Sequence, residues 1–178
     1  MKKIIRFKDI PKLTSAGSYQ INVPLEDVPV QIKKWQENDS YNLQLCPDFQ
    51  RGHIWSKEQQ ISYIEYLLRG GTSAKIIYFN KPSWHGTIKY GYDDFVCVDG
   101  LQRLTAVLKF MNNDLQVFGS YYHDFEDRIP FSIDILFNVN NLKTEKEVLQ
   151  WYVDINTSGT PHTDEEIEKV KDMIKKIG

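Results

Sequence analysis

Cysteine is nearly missing from this chain: Cys46 and Cys97 are the only two in 178 residues, far apart and without a C-x-x-C neighbour. That excludes a disulfide framework and a cysteine-built zinc site, and both thiols read as ordinary core or strand residues of a reducing cytoplasm. Long apolar runs are missing too. The opening Met1-Lys2-Lys3-Ile4-Ile5 resembles the charged end of a signal peptide, but Arg6, Lys8 and Asp9 break it. Nothing later approaches the roughly 18 uninterrupted apolar residues of a membrane span, so a cytoplasmic protein without a membrane partner is expected. An excess of one charge is also lacking: 22 Lys+Arg stand against 24 Asp+Glu, a net charge of -2. Such a balance gives no global field to draw in a polyanion, so DNA contact requires a local patch or a bound metal.

The common catalytic templates are absent as well. There is no G-x-x-x-x-G-K loop, no G-x-G-x-x-G turn and no H-E-x-x-H, and His53, His85, His123 and His162 are scattered. Pro47-Asp48 is present, but no lysine has an acid two residues before it, so the metal-nuclease hairpin pattern fails.

What the chain does have is a core. At 41% hydrophobic and 13% aromatic residues it can fold as one domain. Residues 1–20, with Pro11 and Ser15-Ala16-Gly17-Ser18, read as a flexible arm, and 21–178 as the folded domain including a C-terminal helix. A strand is expected from Ile21, then a helix over Val30 to Trp35 with Ile32 and Trp35 inward, closed by Asn38-Asp39-Ser40. Leu43 to Trp55 reads as a strand edge running into a loop. Ser56 and Gln59 form a capping-box pattern before Ile61, Ile64, Leu67 and Leu68, with Gly70-Gly71 as the stop. Lys75 to Phe79 and Phe95 to Val98 read as strands. After Val98 the period becomes helical, with Leu101, Leu104, Leu108 and Met111 on one face up to Asn112-Asn113. A strand near Ile133 to Phe137 precedes a helix boxed by Thr144 and Glu147, carrying Val148, Tyr152 and Ile155 inward. A last helix from Thr163, boxed by Glu166, has the stripe Ile167, Val170, Ile174 and Ile177 with Lys169, Lys175 and Lys176 outside. That stripe fits docking on this domain or on another chain. The class is α+β, a small mixed sheet flanked by helices.

One junction stands out for chemistry: Val98-Asp99-Gly100-Leu101-Gln102-Arg103. A helix starting straight after a buried strand points unpaired N–H groups and its positive dipole end out of the sheet, which suits an anion. Gly100 allows close approach of a phosphate, Gln102 and Arg103 project away from the leucine stripe, and Asp99 can hold a divalent ion. The structural alternative has equal weight on spacing alone: Asp99 and Gln102 fit a capping box, and Arg103 can simply pair with a surface acid. A second cluster, Pro47-Asp48-Phe49-Gln50-Arg51 with Trp55, offers a guanidinium to clamp a phosphate and aromatics to stack on a base. Trp55 reads better as an apolar staple before Ser56, and Arg51 as a ligand group. Asn156-Thr157-Ser158-Gly159 reads first as a helix end.

These three segments, taken in their order along the chain, resemble the N-terminal domain of GmrSD-type restriction endonucleases, over about Ile21 to Ile167. The resemblance implies a single ParB/sulfiredoxin-like domain, with binding and hydrolysis of a nucleoside triphosphate, a requirement for Mg²⁺ or another divalent ion, and DNA nicking or control of DNA cleavage, in phage defence or mobile elements. By the family's Asp-Gly-Gln-Gln-Arg signature, Asp99, Gln102 and Arg103 are its expected catalytic residues and Asp99 its metal ligand. Gly100, Arg51, Gln50 and Asn156 are the expected nucleotide- and phosphate-binding residues. Leu101 replaces the first Gln of that signature, His162 stands at a common leucine, and Ser73-Ala74 at a common proline. The C-terminal His-Asn-His nuclease domain of the full enzymes has no counterpart in these 178 residues, so a separate nuclease subunit is an expected partner. The alternative function is a non-catalytic nucleotide-sensing or protein-interaction module, phage- or mobile-element-encoded, related to a restriction subunit.

Overall fold

Four short strands and five helices carry the chain in a computed structural model that describes residues 4–11, 19–50, 52, 54–86, 91–157 and 164–177. The strands are β1 (Tyr19–Pro24), β2 (Ile76–Asn80), β3 (Val96–Asp99) and β4 (Asp134–Asn140). The helices are α1 (Val28–Glu37), α2 (Lys57–Leu68), α3 (Leu101–Met111), α4 (Glu145–Thr157) and α5 (Asp164–Ile177). The sheet order is β1-β4-β2-β3. β1 with β4 and β2 with β3 are antiparallel, and β2 with β4 is parallel. A parallel pair needs a long crossover, and here β3, α3 and the stretch 112–133 supply it. The mixed α+β expectation therefore holds.

Alternation along each strand divides the interior in two. Ile77 and Phe79 of β2, Cys97 of β3, and Ile135, Phe137 and Val139 of β4 enter a large core with α1, α2 and α3. Val96 and Val98 of β3 face the other way, into a smaller core with α4 and α5. Every residue of β3 except the terminal Asp99 is thus buried, which is why its sequence is a continuous apolar run rather than an alternating one. The open edge of β3 is covered: Gln44 N–H donates to the Phe95 carbonyl and Cys97 N–H donates to the Gln44 carbonyl. This protects an edge that would otherwise template aggregation.

Local signals account for most boundaries. The Ser56/Gln59 capping box opens α2 with both reciprocal hydrogen bonds made. At α4, Glu147 N–H donates to Thr144 Oγ1 while the Glu147 carboxylate accepts from Thr144 N–H. β1 begins at Tyr19, two residues before the expected start. On α3 the deepest residues are Leu104, Ala106, Val107 and Phe110, with Leu108 and Met111 only partly buried. The expected leucine–methionine stripe was rotated because Phe110, the bulkiest apolar side chain on the helix, claims the centre. α5 docks on α4 of its own domain, with Val170 only 1% exposed and Lys169, Lys175 and Lys176 outside. Thr163, of its expected cap, lies outside the described residues, as do Ser158 and Gly159. Cys97 is core as expected, but Cys46 is exposed on the loop after Gln44. No described helix is long and apolar enough to cross a membrane.

Candidate functional site at the β3–α3 junction

Asp99 ends β3 opposite Tyr78, where a register shift in the β2–β3 ladder turns the chain. Gly100 follows with φ at 99°, in the left-handed region, and serves as the N-cap of α3 with no side-chain cap. Its side chain is forbidden twice. The torsion is costly for any L-residue, and a Cβ would sit 2.7 Å from Ile77 Cδ1 and 3.2 Å from Ile77 Cα. The glycine therefore lets β2 and the start of α3 meet.

Because α3 starts at Leu101, the Asp99/Gln102 capping box does not form. The Asp99 carboxylate instead accepts from Arg103 Nη2 through Oδ2 at 2.5 Å, a pair four residues apart. The Arg103 side chain is only 19% exposed. A guanidinium carries five N–H donors, and among the described residues Asp99 is the one hydrogen-bond partner this one has. Unmet donors on a mostly buried cation are costly unless an anion meets them. The same guanidinium lies over Gly100, with Nη2 3.2 Å from where a Cβ would be. It is therefore held at the end of α3, where the helix dipole also favours negative charge. Leu101 is buried in the large core.

Gln102 turns out to be a clip. Its Oε1 accepts from Ile54 N–H at 2.9 Å and Trp55 N–H at 3.1 Å, and its Nε2 donates to the Gly52 carbonyl at 3.1 Å. Both ends of the amide are spent on the loop that follows Arg51. From α2, Gln60 grips the same loop, Nε2 donating to the Trp55 carbonyl at 3.0 Å. The loop's aromatics pack into the fold: Phe49 is buried edge-on against Tyr152, and the half-buried Trp55 packs on Tyr63. Arg51 and His53 themselves lie outside the described residues. Gln50 reaches under the junction toward the Cys97 thiol, and its Oε1 is buried with no partner among the described residues. Burial pushes the Cys97 thiol up, Asp99 adds to this, and Arg103 and Gln50 work against it. Cys97, Asp99, Arg103 and Gln50 therefore share one neighbourhood. Asn156 is different. It is buried on α4, and its Nδ2 donates to the Tyr152 carbonyl of its own helix at 2.7 Å.

Two neighbours escaped the sequence reading. Tyr63 is buried beside the junction, where burial raises its phenol and Arg103 pulls it the other way. Gln60, 3% exposed, sits one turn earlier. The available signal was a glutamine and a tyrosine three apart on the buried face of α2. No group of three or more His, Cys, Asp and Glu side chains able to hold a metal occurs among the described residues. Asp99, already shared with Arg103, is no cage by itself. Mg²⁺ is commonly held by one or two carboxylates together with phosphate oxygens and water, and that is the one form these residues fit.

A second hollow lies at the other end of the β2–β3 hairpin, a cleft of about 800 Å³ walled by Tyr41, Trp84, Asp39 and Asp94. Inside it, Lys81 Nζ donates to the Asp93 carbonyl at 2.6 Å and to Oδ2 at 3.1 Å, while Ser83 N–H and Oγ donate to the same carboxylate at 3.0 Å each. Burial opposes the Asp93 charge, but the hydrogen bonds from Ser83 and Lys81 outweigh it and hold the carboxyl below its ordinary range.

No curated protein and no solved structure matches this chain. A family model described as GmrSD restriction endonuclease, N-terminal domain, matches residues 32–135. That span is more than half of the 178 residues and takes in Gln50, Arg51 and the whole Asp99 to Arg103 turn, leaving Asn156 outside. With the fold, the junction and this match together, the chain belongs to the GmrSD restriction endonuclease N-terminal domain family.

Proposed function

We propose that this domain binds and hydrolyses a nucleoside triphosphate, and that this activity drives or controls DNA nicking within a restriction system. The observation that carries the reading is Arg103: a mostly buried guanidinium, oriented by Asp99 at the N-terminus of α3, with four of its five donors unmet among the described residues. A planar fork of N–H groups in a partly dry setting suits phosphate oxygens. Arg103 and Arg51 hold the polyphosphate and stabilise charge on the transferred phosphoryl group. Asp99 orients Arg103, the α3 N-terminus adds its dipole, and Gln50 supplies an amide beside the phosphates.

Gln102 acts here as a positioning residue. Its three hydrogen bonds fix the loop that carries Arg51 against the loop-facing side of α3. Asp99, with phosphate oxygens and water, would hold a Mg²⁺ bound along with the triphosphate, which would screen the phosphate charge. Among the described residues no side chain at the junction is an evident general base, so turnover is expected to rest on positioning and electrostatics and to stay below a typical enzyme median of about 10 s⁻¹.

The mutual neutralisation of Asp99 and Arg103, together with the lack of a metal-ligand cluster among the described residues, favours a second reading: a nucleotide sensor that binds without turnover. One experiment separates the two. Titrate the four ribonucleoside triphosphates with Mg²⁺ by calorimetry into wild type and Arg103→Ala, then follow phosphate release and the nicking of supercoiled DNA. Binding lost in the variant with phosphate released by wild type supports the enzyme, binding without release supports the sensor, and no binding by folded wild type overturns both.

A further inference from the structure

Two apolar surfaces lie uncovered in the same chain. In the arm, Ile5 and Phe7 are 78% and 94% exposed, and Ile4 and Ile10 are half exposed around a single 3-10 turn that buries nothing. On the stretch between α3 and β4, Phe118 and Phe125 line a groove of about 260 Å³ with Leu68, Phe110 and Ile133. Phe131, 75% exposed, stands two residues before Ile133. Soluble chains rarely leave such aromatic patches bare unless something covers them.

Their charges are opposite. The arm carries Lys2, Lys3, Arg6 and Lys8 against Asp9. The groove side carries exposed Asp124, Glu126 and Asp127 against Arg128, while Arg69 is stacked on the Phe118 ring at 5.1 Å. The sheet sets where the two lie. Tyr19 pairs with Val139 and Pro24 with Asp134, so the arm leaves β1 at the end of the sheet remote from Ile133 and the groove.

We infer that the arm of one copy docks in the aromatic groove of a second copy, and that the exchange is reciprocal about a twofold axis. Phe7 and Ile5 enter the groove beside Phe118 and Phe125, and Arg6 and Lys8 meet Asp124, Glu126 and Asp127. A twofold exchange buries both surfaces in both copies and leaves no arm free to propagate a chain of contacts.

Sedimentation equilibrium of the full chain tests this from about 1 µM to about 100 µM, where a modest dimer affinity would show. Wild type is expected to approach twice the monomer mass with rising concentration. Phe7→Asp and Phe118→Asp, both at exposed sites, should each weaken the dimer by about tenfold or more. Mixing these two variants should restore pairing in part, because a mixed dimer keeps one intact arm and groove. Asp127→Lys should weaken the dimer, and Arg6→Glu added to it should recover the loss. A wild type that stays monomeric, a dimer indifferent to Phe7→Asp, or a mixture that restores nothing would each overturn the exchange. Circular dichroism on Phe118→Asp guards against simple unfolding. Should it unfold, Phe7→Asp and the Asp127/Arg6 swap decide the matter alone.

Discussion

At the two ends of the β2–β3 hairpin stand two largely buried ion pairs that differ in what they leave undone. The Lys81–Asp93 pair is closed. The ammonium is bonded to both a carbonyl and a carboxylate, and that carboxylate takes two further hydrogen bonds from Ser83. The Asp99–Arg103 pair is open, with one carboxylate contact for a five-donor guanidinium among the described residues. A pair this fully bonded keeps at most one ammonium donor in reserve and works as structure. An open pair at a helix N-terminus keeps donors in reserve, and that reserve separates a binding site from a buried salt bridge.

The comparison breaks most visibly through Asp93→Ala. That change strands the Lys81 ammonium, whose side chain is 6% exposed, and should cost about 3 kcal/mol in urea unfolding. Nucleotide binding per folded molecule should be unaltered, since the pair lies at the far end of the hairpin. Arg103→Ala should do the reverse. Stability should fall by less than in Asp93→Ala, because the Asp99 carboxylate left behind is 29% exposed and can be hydrated, while the loss of charge-assisted hydrogen bonds should weaken triphosphate binding by about 2 kcal/mol, roughly thirtyfold, in calorimetry. If Arg103→Ala proved the more destabilising change and left binding intact, the roles assigned to the two pairs would be exchanged.

Gln102→Leu sharpens the comparison by loosening the loop without touching either charge. It should cost about 1–2 kcal/mol through unpaired Ile54 and Trp55 N–H groups, and hydrogen exchange at those two amides should accelerate. Nucleotide affinity should fall less than in Arg103→Ala. The smallest effect concerns pH. The folded Asp93 carboxyl titrates below its unfolded value near 3.9, so its contribution is full above about pH 4 and is lost as pH falls through the depressed value. Acid titration of stability should therefore be shallower in Asp93→Asn than in wild type, and equal slopes would place the acid sensitivity elsewhere.

Much of this was legible in the residues. The caps at Ser56/Gln59 and Thr144/Glu147 form as their spacing states, because a capping box is a local contract among four residues. The strand-turn-helix at Val98 to Leu101 also followed from the change of apolar period. The Asp99/Gln102 pair shows where spacing failed. It carries the same pattern as the working caps, yet the left-handed Gly100 becomes the N-cap, so Asp99 falls one residue outside the box and turns to Arg103. The assignment of Gln102 was beyond any local pattern, since its three partners lie about fifty residues earlier in the chain. Phe49 and Trp55 were ambiguous for the same reason: aromatic residues in a loop are core or ligand surface depending on what the fold brings against them.

The sequence by itself determined the elements, the family and the identity of the residues at the junction, because periodicity, caps and a contiguous motif are written within a few residues of one another. The tertiary structure alone decided which cation is satisfied and which is not. Lys81 and Arg103 are each a positive side chain near an acid in sequence or space, and only the packing of β2 against Gly100, and of Ser83 against Asp93, sets how many donors each has left. Hydrogen-bond capacity is a property of a residue type, but its unspent part depends on every neighbour the fold supplies.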